Sequence, residues 1–129
     1  MKKSHLLIFI VSIFLSGCAG SPASIMTASP GQLRSMETLD LINAWSVTGS
    51  ENARMELNRR QVFSAQEWEL IKRHQVAIGM SKAALYASQG FPNGGRTITE
   101  AGVTLKGFFY RTQTVYLIND KVVRIERFR

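Results

Sequence analysis

Hydrophobic residues in the middle of the chain recur at the spacing of amphipathic helices. Residues 33–45 carry apolar side chains on one broad face, which predicts a first helix. Gly49 suits the end of this helix and Ser50 the start of the next, because glycine adopts left-handed backbone and a serine hydroxyl accepts from a free N–H. A second helix is therefore predicted over residues 51–60, within a helical lead-in spanning residues 33–70.

The third helix has the clearest start signal. Ser64 and Glu67 have the spacing of a capping box, in which each side chain accepts a hydrogen bond from the other residue's backbone N–H. Phe63 and Trp68 flank this cap and are predicted to pack together as a hydrophobic staple. The helix is expected to run to about His74, for which a structural role is favoured over a catalytic or metal-binding one.

A fourth helix is predicted over residues 82–89. Ser81 supplies its N-cap, and Gly90 supplies the left-handed residue that ends it. Phe91 is then positioned to fold back onto Tyr86. Residues 93–95, Asn-Gly-Gly, are expected to form a turn rather than a phosphate-binding loop, because no Lys-Ser/Thr follows them.

From residue 96 onward the hydrophobic period changes to two, which is typical of β-strands. Asn119 and Asp120 separate two of these runs and predict a tight hairpin turn. In the last run Val123 and Ile125 are expected to share the buried face. Helices followed by consecutive strands predict an α+β fold with two layers. The runs rich in β-branched and aromatic residues are 98–101, 103–111, 114–119 and 122–128.

The N-terminus has the layout of a secretory signal peptide. A cationic start is followed by an apolar run over residues 6–15, which is shorter than the roughly 20 residues of a membrane-spanning helix. Residues 15–18, Leu-Ser-Gly-Cys, resemble the lipobox of bacterial lipoproteins, in which the cysteine is lipidated and becomes the first residue. The alternatives are an ordinary cleavage site with a neighbouring cysteine, and a free thiol.

Lipidation at Cys18 would remove residues 1–17 and anchor the chain stably in a membrane. In the lipoproteins that the motif resembles, Asp after the cysteine commonly signals retention in the inner membrane; Ala19 therefore implies the outer membrane. Residues 18–32 lack charges and are rich in small residues, which predicts a flexible tether. The formal charge falls from +7 to +5 when Lys2 and Lys3 are removed, which argues against a nucleic-acid partner.

The composition makes most catalytic and metal sites improbable. Cys18 is the single cysteine, so no internal disulfide is possible. The only histidines, His5 and His74, provide neither a catalytic Ser/His/Asp or Cys/His set nor a Cys/His metal cluster. No enzyme activity, metal or cofactor is expected, and the acidic residues of the strand region are interpreted as solvated charges.

The second half of the chain contains a set of short motifs that together indicate a family. They are Gly79-Met80-Ser81, Gly90-Phe91-Pro92, Tyr110, Val115-Tyr116-Leu117 and Val122-Val123-Arg124-Ile125. With these motifs, residues 71–128 resemble the SmpA/OmlA (BamE-like) family of small outer-membrane lipoproteins. The resemblance implies short helices packed on one face of a three-stranded antiparallel sheet over residues 71–129, with the lead-in outside the family pattern. It also implies a role in outer-membrane assembly or maintenance through non-covalent contacts.

Two groups of residues are candidate contacts. Phe108, Phe109 and Tyr110 form a possible partner site, because three consecutive aromatic residues cannot all point to one side of a strand. Basic residues near a membrane could also contact anionic lipid, although a solvated sheet face is the simpler interpretation. These basic residues are Lys106, Arg111, Lys121, Arg124 and Arg127.

Two functional classes remain open. The first is an accessory of outer-membrane assembly that docks on a larger membrane protein. The second is a lipid-anchored periplasmic inhibitor or binding module for a soluble enzyme or ligand. A membrane-protein partner would identify the first class and a soluble partner the second.

Overall fold

The structure, a computed structural model, describes residues 20–129 and consists of six helices followed by four strands. No helix among these residues is long and apolar enough to span a membrane. The helices are α1 (Pro22–Thr27), α2 (Pro30–Arg34), α3 (Thr38–Thr48), α4 (Glu51–Arg59), α5 (Ala65–Lys72) and α6 (Lys82–Gln89). The strands are β1 (Gly94–Glu100), β2 (Val103–Phe109), β3 (Gln113–Ile118) and β4 (Lys121–Arg127).

The strands form one antiparallel meander in the order β1-β2-β3-β4. The fold is therefore α+β, but the sheet has four strands rather than the three implied by the family resemblance. Strand β1 begins four residues before the predicted run 98–101, because Gly94 and Gly95, which were expected in a turn, pair with Phe109 and Phe108. Ala101 and Gly102 close this first hairpin with φ values of 48° and 79°, the left-handed backbone that a two-residue hairpin loop requires.

The helix caps predicted from local sequence are confirmed. Gly49 ends α3 with φ 64°, and the Ser50 side chain accepts from Ala53 N at the start of α4. Ser64 and Glu67 form the full capping box of α5. These caps satisfy backbone groups that a helix end leaves without partners.

Aromatic contacts and one carboxylate connect the helices. The Phe63 and Trp68 rings lie 5.1 Å apart, which confirms the staple, and Tyr86 and Phe91 lie 4.7 Å apart. Glu67 Oε1 accepts from Ser81 N at 2.9 Å, so the capping residue of α5 also binds the N-cap of α6. Burial opposes the charged form of Glu67, but hydrogen bonds from Ser81 and from the Ser64 backbone outweigh it and lower the pKa.

The flexible tether expected up to residue 32 is wrong for the described part of that segment. Residues 22–34 form α1 and α2, and Ile25 and Leu33 belong to the hydrophobic core. Asn52 Nδ2 donates to the carbonyls of Ile25, Met26 and Ala28 at 3.0 to 3.3 Å, which satisfies the C-terminal end of α1. The cleavage and lipidation predictions at residues 1–19 lie outside the described residues.

The boundary predicted at residue 71 is also not a structural division. It falls inside α5, and one continuous core includes residues from α1 to β4. Helix α6 packs on α3 and α5, while α3 packs on α1 and α4. The helical lead-in is thus part of the same folded unit as the sheet. The largest fully buried core side chains include Leu41, Ile42, Leu57, Ile71, Leu85, Val115 and Val122.

Strand β4 contains a bulge that changes the predicted buried face. Leu117 pairs with Val122 and Tyr116 pairs with Arg124, so Val123 has no partner in the ladder. The extra residue interrupts the alternation of side chains. Val122 consequently enters the core with Ile125, whereas Val123, expected beside Ile125, is exposed.

Candidate interaction surface of the sheet

The three consecutive aromatic residues point to different environments. Phe108 faces the core and its ring lies 5.9 Å from Tyr86. Tyr110 is buried, its hydroxyl donates to the Gly90 carbonyl at 3.2 Å, and burial raises its pKa. Phe109 lies on the opposite side of the sheet and is 36% exposed. Only Phe109 is therefore available to a partner as a substantially exposed ring.

The five candidate basic residues do not form one surface. Lys106 and Arg127 lie opposite Leu117 and Gln113, on the helix-facing side of the sheet. Arg124 lies opposite Tyr116, on the outer side. The remaining two are Arg111, exposed in the β2–β3 turn, and Lys121, beside Glu67 at the start of β4. An anionic surface could not contact all five together.

The outer side of the sheet carries a cluster centred on Tyr116, which is only 1% exposed. Its hydroxyl accepts from Arg96 Nη2 at 2.6 Å and donates to Glu126 Oε2 at 3.2 Å. The Arg124 guanidinium lies 4.2 Å from the ring centroid, within cation–π distance. Arg124 also donates to Glu100 at 3.2 and 3.3 Å. The cluster joins β1, β3 and β4 across the sheet.

Gly107 provides the space for the Tyr116 ring. A Cβ atom at Gly107 would lie 2.9 Å from Cε1 of Tyr116, closer than such contacts normally allow. Gly107 also pairs with Arg96, so the Tyr116 ring can approach that arginine across β2, with the guanidinium carbon 5.7 Å from the ring centroid. The spacing of hydrophobic residues does not predict this cluster. A glycine inside a predicted strand was the available signal, since it often marks the close approach of another group.

The two arginines of the cluster differ in their charge environment. Hydrogen bonding to Glu100 raises the pKa of Arg124, with further contributions from Glu126 and Tyr116. Its positive charge is therefore compensated by neighbouring carboxylates. Arg96 has no carboxylate within ion-pair distance among residues 20–129, and it lies 6.0 Å from the Phe109 ring. Arg96 and Phe109 thus present an uncompensated cation beside an exposed aromatic ring.

The two edges of the sheet also differ. Part of the β4 edge is occupied, because Gly79 N donates to the Val122 carbonyl at 2.7 Å and Val122 N donates to the Met80 carbonyl at 2.9 Å. The Val123 bulge further distorts this edge. Strand β1 is seven residues long, contains no bulge or proline, and has only β2 as a neighbour within residues 20–129. Its outer edge therefore presents backbone N–H and C=O groups with which another strand could pair.

Within the described chain, no group of three or more His, Cys, Asp or Glu residues could hold a metal ion. His74 follows α5, and its Nδ1 lies 3.1 Å from the Ser88 carbonyl. The Ser88 hydroxyl donates in turn to the Gln75 carbonyl at 2.7 Å. These contacts connect the end of α5 to α6.

No protein-family model, no curated protein and no solved structure matches this chain.

Proposed function

We propose that this chain is an outer-membrane lipoprotein with a non-catalytic interaction role in the assembly or maintenance of that membrane, and that it faces the periplasm. The observation that carries the proposal is the lipobox-like sequence ending at Cys18, followed four residues later by the first residue of α1, Pro22. The resemblance of residues 71–128 to BamE-like lipoproteins supports the same assignment.

The short connection to the folded domain favours a partner in or on the membrane. An extended chain advances at most about 3.5 Å per residue, so Pro22 lies within about 14 Å of the lipidated Cys18. Ile25 is fully buried and holds α1 against α3 and α4. The domain would therefore remain at the membrane surface, where it could reach a membrane protein more readily than a distant soluble enzyme.

The position of the charged cluster favours a protein partner over lipid headgroups. The cluster lies on the outer side of the sheet, whereas α1 packs with the helices that cover the opposite side. Because the proposed anchor precedes α1, the outer side would be turned away from the bilayer. Arg96 and Phe109 would then be presented to those parts of a membrane-protein partner that extend into the periplasm.

Replacing Cys18 with serine tests the anchor. Expressed in a Gram-negative host, the parent chain is expected to begin at Cys18 and to carry a diacylglyceryl thioether and an N-acyl group by intact-mass analysis. The Cys18→Ser variant should lose the entire lipid mass, because serine has no thiol to alkylate. Ser16→Ala keeps a small residue before the cysteine and should remain lipidated. An unmodified parent chain would contradict the proposal.

Cross-linking in native membranes identifies the partner class. The expected product is a specific adduct with an outer-membrane protein, reduced in yield for Cys18→Ser, which is not anchored. Mass spectrometry of the purified adduct provides the identity. A soluble periplasmic enzyme as the main adduct would contradict a role in membrane assembly and favour the inhibitor class.

A further inference from the structure

The open edge of β1 is complementary to itself. We propose that β1 pairs in antiparallel orientation with β1 of a second copy of this chain, giving a two-fold dimer with one continuous eight-stranded sheet. Three features of β1 support this dimer: the direction of its backbone groups, the side chains that pairing would bring together, and the space around its edge.

The backbone direction follows from the pairing on the other side of β2. Tyr110 N donates to the Gln113 carbonyl at 2.9 Å, so even-numbered residues of the β2 ladder bond to β3. Odd-numbered residues of β2 then bond to β1, where their partners are even-numbered. The N–H and C=O groups of Gly95, Thr97 and Thr99 consequently point away from β2, towards the open edge.

One alignment of the two β1 strands brings the outward-pointing backbone groups into hydrogen-bonding positions and also places favourable side chains opposite each other. When the two-fold axis passes through Ile98, Thr97 lies opposite Thr99 of the second copy and they exchange backbone hydrogen bonds. Ile98 lies opposite its own counterpart. Arg96 lies opposite Glu100 of the second copy. The Glu100 carboxylate, which binds Arg124 of its own chain, would then also lie beside an arginine that has no ion-pair partner within residues 20–129. Opposite charges, paired threonines and paired β-branched residues are favourable neighbours across antiparallel strands.

The neighbouring registers with the same backbone direction are less favourable. An axis at Arg96 places the two arginines opposite each other, and like charges in that position are destabilising. An axis at Thr97 places Arg96 opposite Ile98 and leaves the charge without a counterpart. Charge complementarity therefore selects the register centred on Ile98.

The rest of the domain leaves room for this arrangement. Arg96 and Glu100 share the outer side of the sheet, so pairing aligns the outer sides and places both helix layers together on the other side. Core contacts with the helices come from β3 and β4, through residues such as Val115 and Val122, whereas β1 is exposed along most of its length. The two β3 strands would be five strand spacings apart, about 24 Å. That distance accommodates a helix of about 10 Å diameter from each copy.

The dimer is also compatible with attachment to one membrane. Both copies of α1 would lie on the same side of the continuous sheet, so both anchors at Cys18 could enter one bilayer. Anchoring would raise the effective concentration of the two edges and favour their pairing. The attachment of both copies to one membrane rests on the proposed function, whereas the register of the β1 pairing does not.

A cysteine at position 98 tests the register. Opposed Cα atoms in a non-hydrogen-bonded antiparallel pair are about 4.5 Å apart, within disulfide range. Under mild oxidation of membranes containing the full chain, Ile98→Cys should give a band of two copies on a non-reducing gel. Val47→Cys, at an exposed position on α3, and the parent chain should not. No dimer band for Ile98→Cys, or an adduct with a different protein instead, would overturn the proposal.

Charge reversal supplies a test that a folding defect cannot imitate. In the Ile98→Cys background, Arg96→Glu and Glu100→Arg should each reduce the dimer band about tenfold when expressed alone, because like charges then face each other. Expressing the two variants together should restore it, because each reversed charge meets its opposite on the other chain. No reduction in the single variants, or no recovery in the mixture, would refute the pairing. Intact mass of the same samples reports lipidation independently, so failure of either proposal is recognised separately.

Discussion

Glu56→Gln is expected to lower the free energy of unfolding by about 3 kcal/mol. The carboxylate is almost fully buried and accepts hydrogen bonds from Arg59 at 2.7 and 2.9 Å and from Arg60 at 2.9 Å. Arg60 Nη2 also donates to the Leu33 and Met36 carbonyls, which connects α4 to the end of α2. A neutral amide would leave a largely buried guanidinium without its counter-charge.

Urea unfolding of the purified protein measures this effect, and Glu51→Gln provides the matched control. Glu51 also pairs with an arginine three positions further along α4, but that pair is exposed. An exposed pair of this kind contributes little to stability, so Glu51→Gln should change the free energy of unfolding much less than Glu56→Gln does. Equal losses for the two substitutions would contradict a special role for the buried pair.

The same carboxylate gives the protein an acid-dependent component of stability. Hydrogen bonds from Arg59 and then Arg60 lower the pKa of Glu56 from 4.5 to about 2. The unfolded chain therefore takes up this proton at higher pH than the folded chain does. The contribution of Glu56 to the free energy of unfolding is complete above pH 4.5 and is lost as the pH falls towards 2. Glu56→Gln should show a smaller loss of stability over that range than the parent protein.

Ile25→Ala is expected to destabilise the protein by about 3 kcal/mol, because it removes a fully buried side chain and leaves a cavity in the core. Met26→Ala is the neighbouring control. Met26 is 55% exposed, and its truncation should change the free energy of unfolding by less than about 0.5 kcal/mol.

Urea unfolding and limited proteolysis both report on this prediction. Ile25→Ala should also increase cleavage within residues 22–34, because α1 loses its main attachment to the core. A change no larger than that of Met26→Ala would mean that residues 22–34 behave as the flexible tether suggested by their composition.

The features predicted correctly are those that neighbouring residues determine. Gly49, Ser50 and the Ser64–Glu67 box define helix ends because their hydrogen-bond partners lie within a few positions. Asn119 and Asp120 adopt φ values of 48° and 61°, the left-handed backbone predicted for the hairpin turn. Local chemistry was therefore sufficient for the α+β class and for most element boundaries after residue 48.

The features missed depend on residues distant in sequence. Asn52 and Arg60 bind carbonyls 24 to 27 positions away and order a segment whose own composition resembles a linker. The Tyr116 cluster joins Arg96 and Glu126 through strands that meet only in the folded sheet. Hydrophobic periodicity contains no information about such partners.

The sequence by itself determined the lipobox-like motif at Cys18, the helix caps and the alternating strands, because each is encoded over a few consecutive positions. Only the tertiary structure decided that residues 22–34 contribute to the core, that Val123 bulges out of β4, and that no second strand within residues 20–129 pairs with β1. Those outcomes depend on which backbone and side-chain groups find partners elsewhere in the chain, and that is a property of the whole fold.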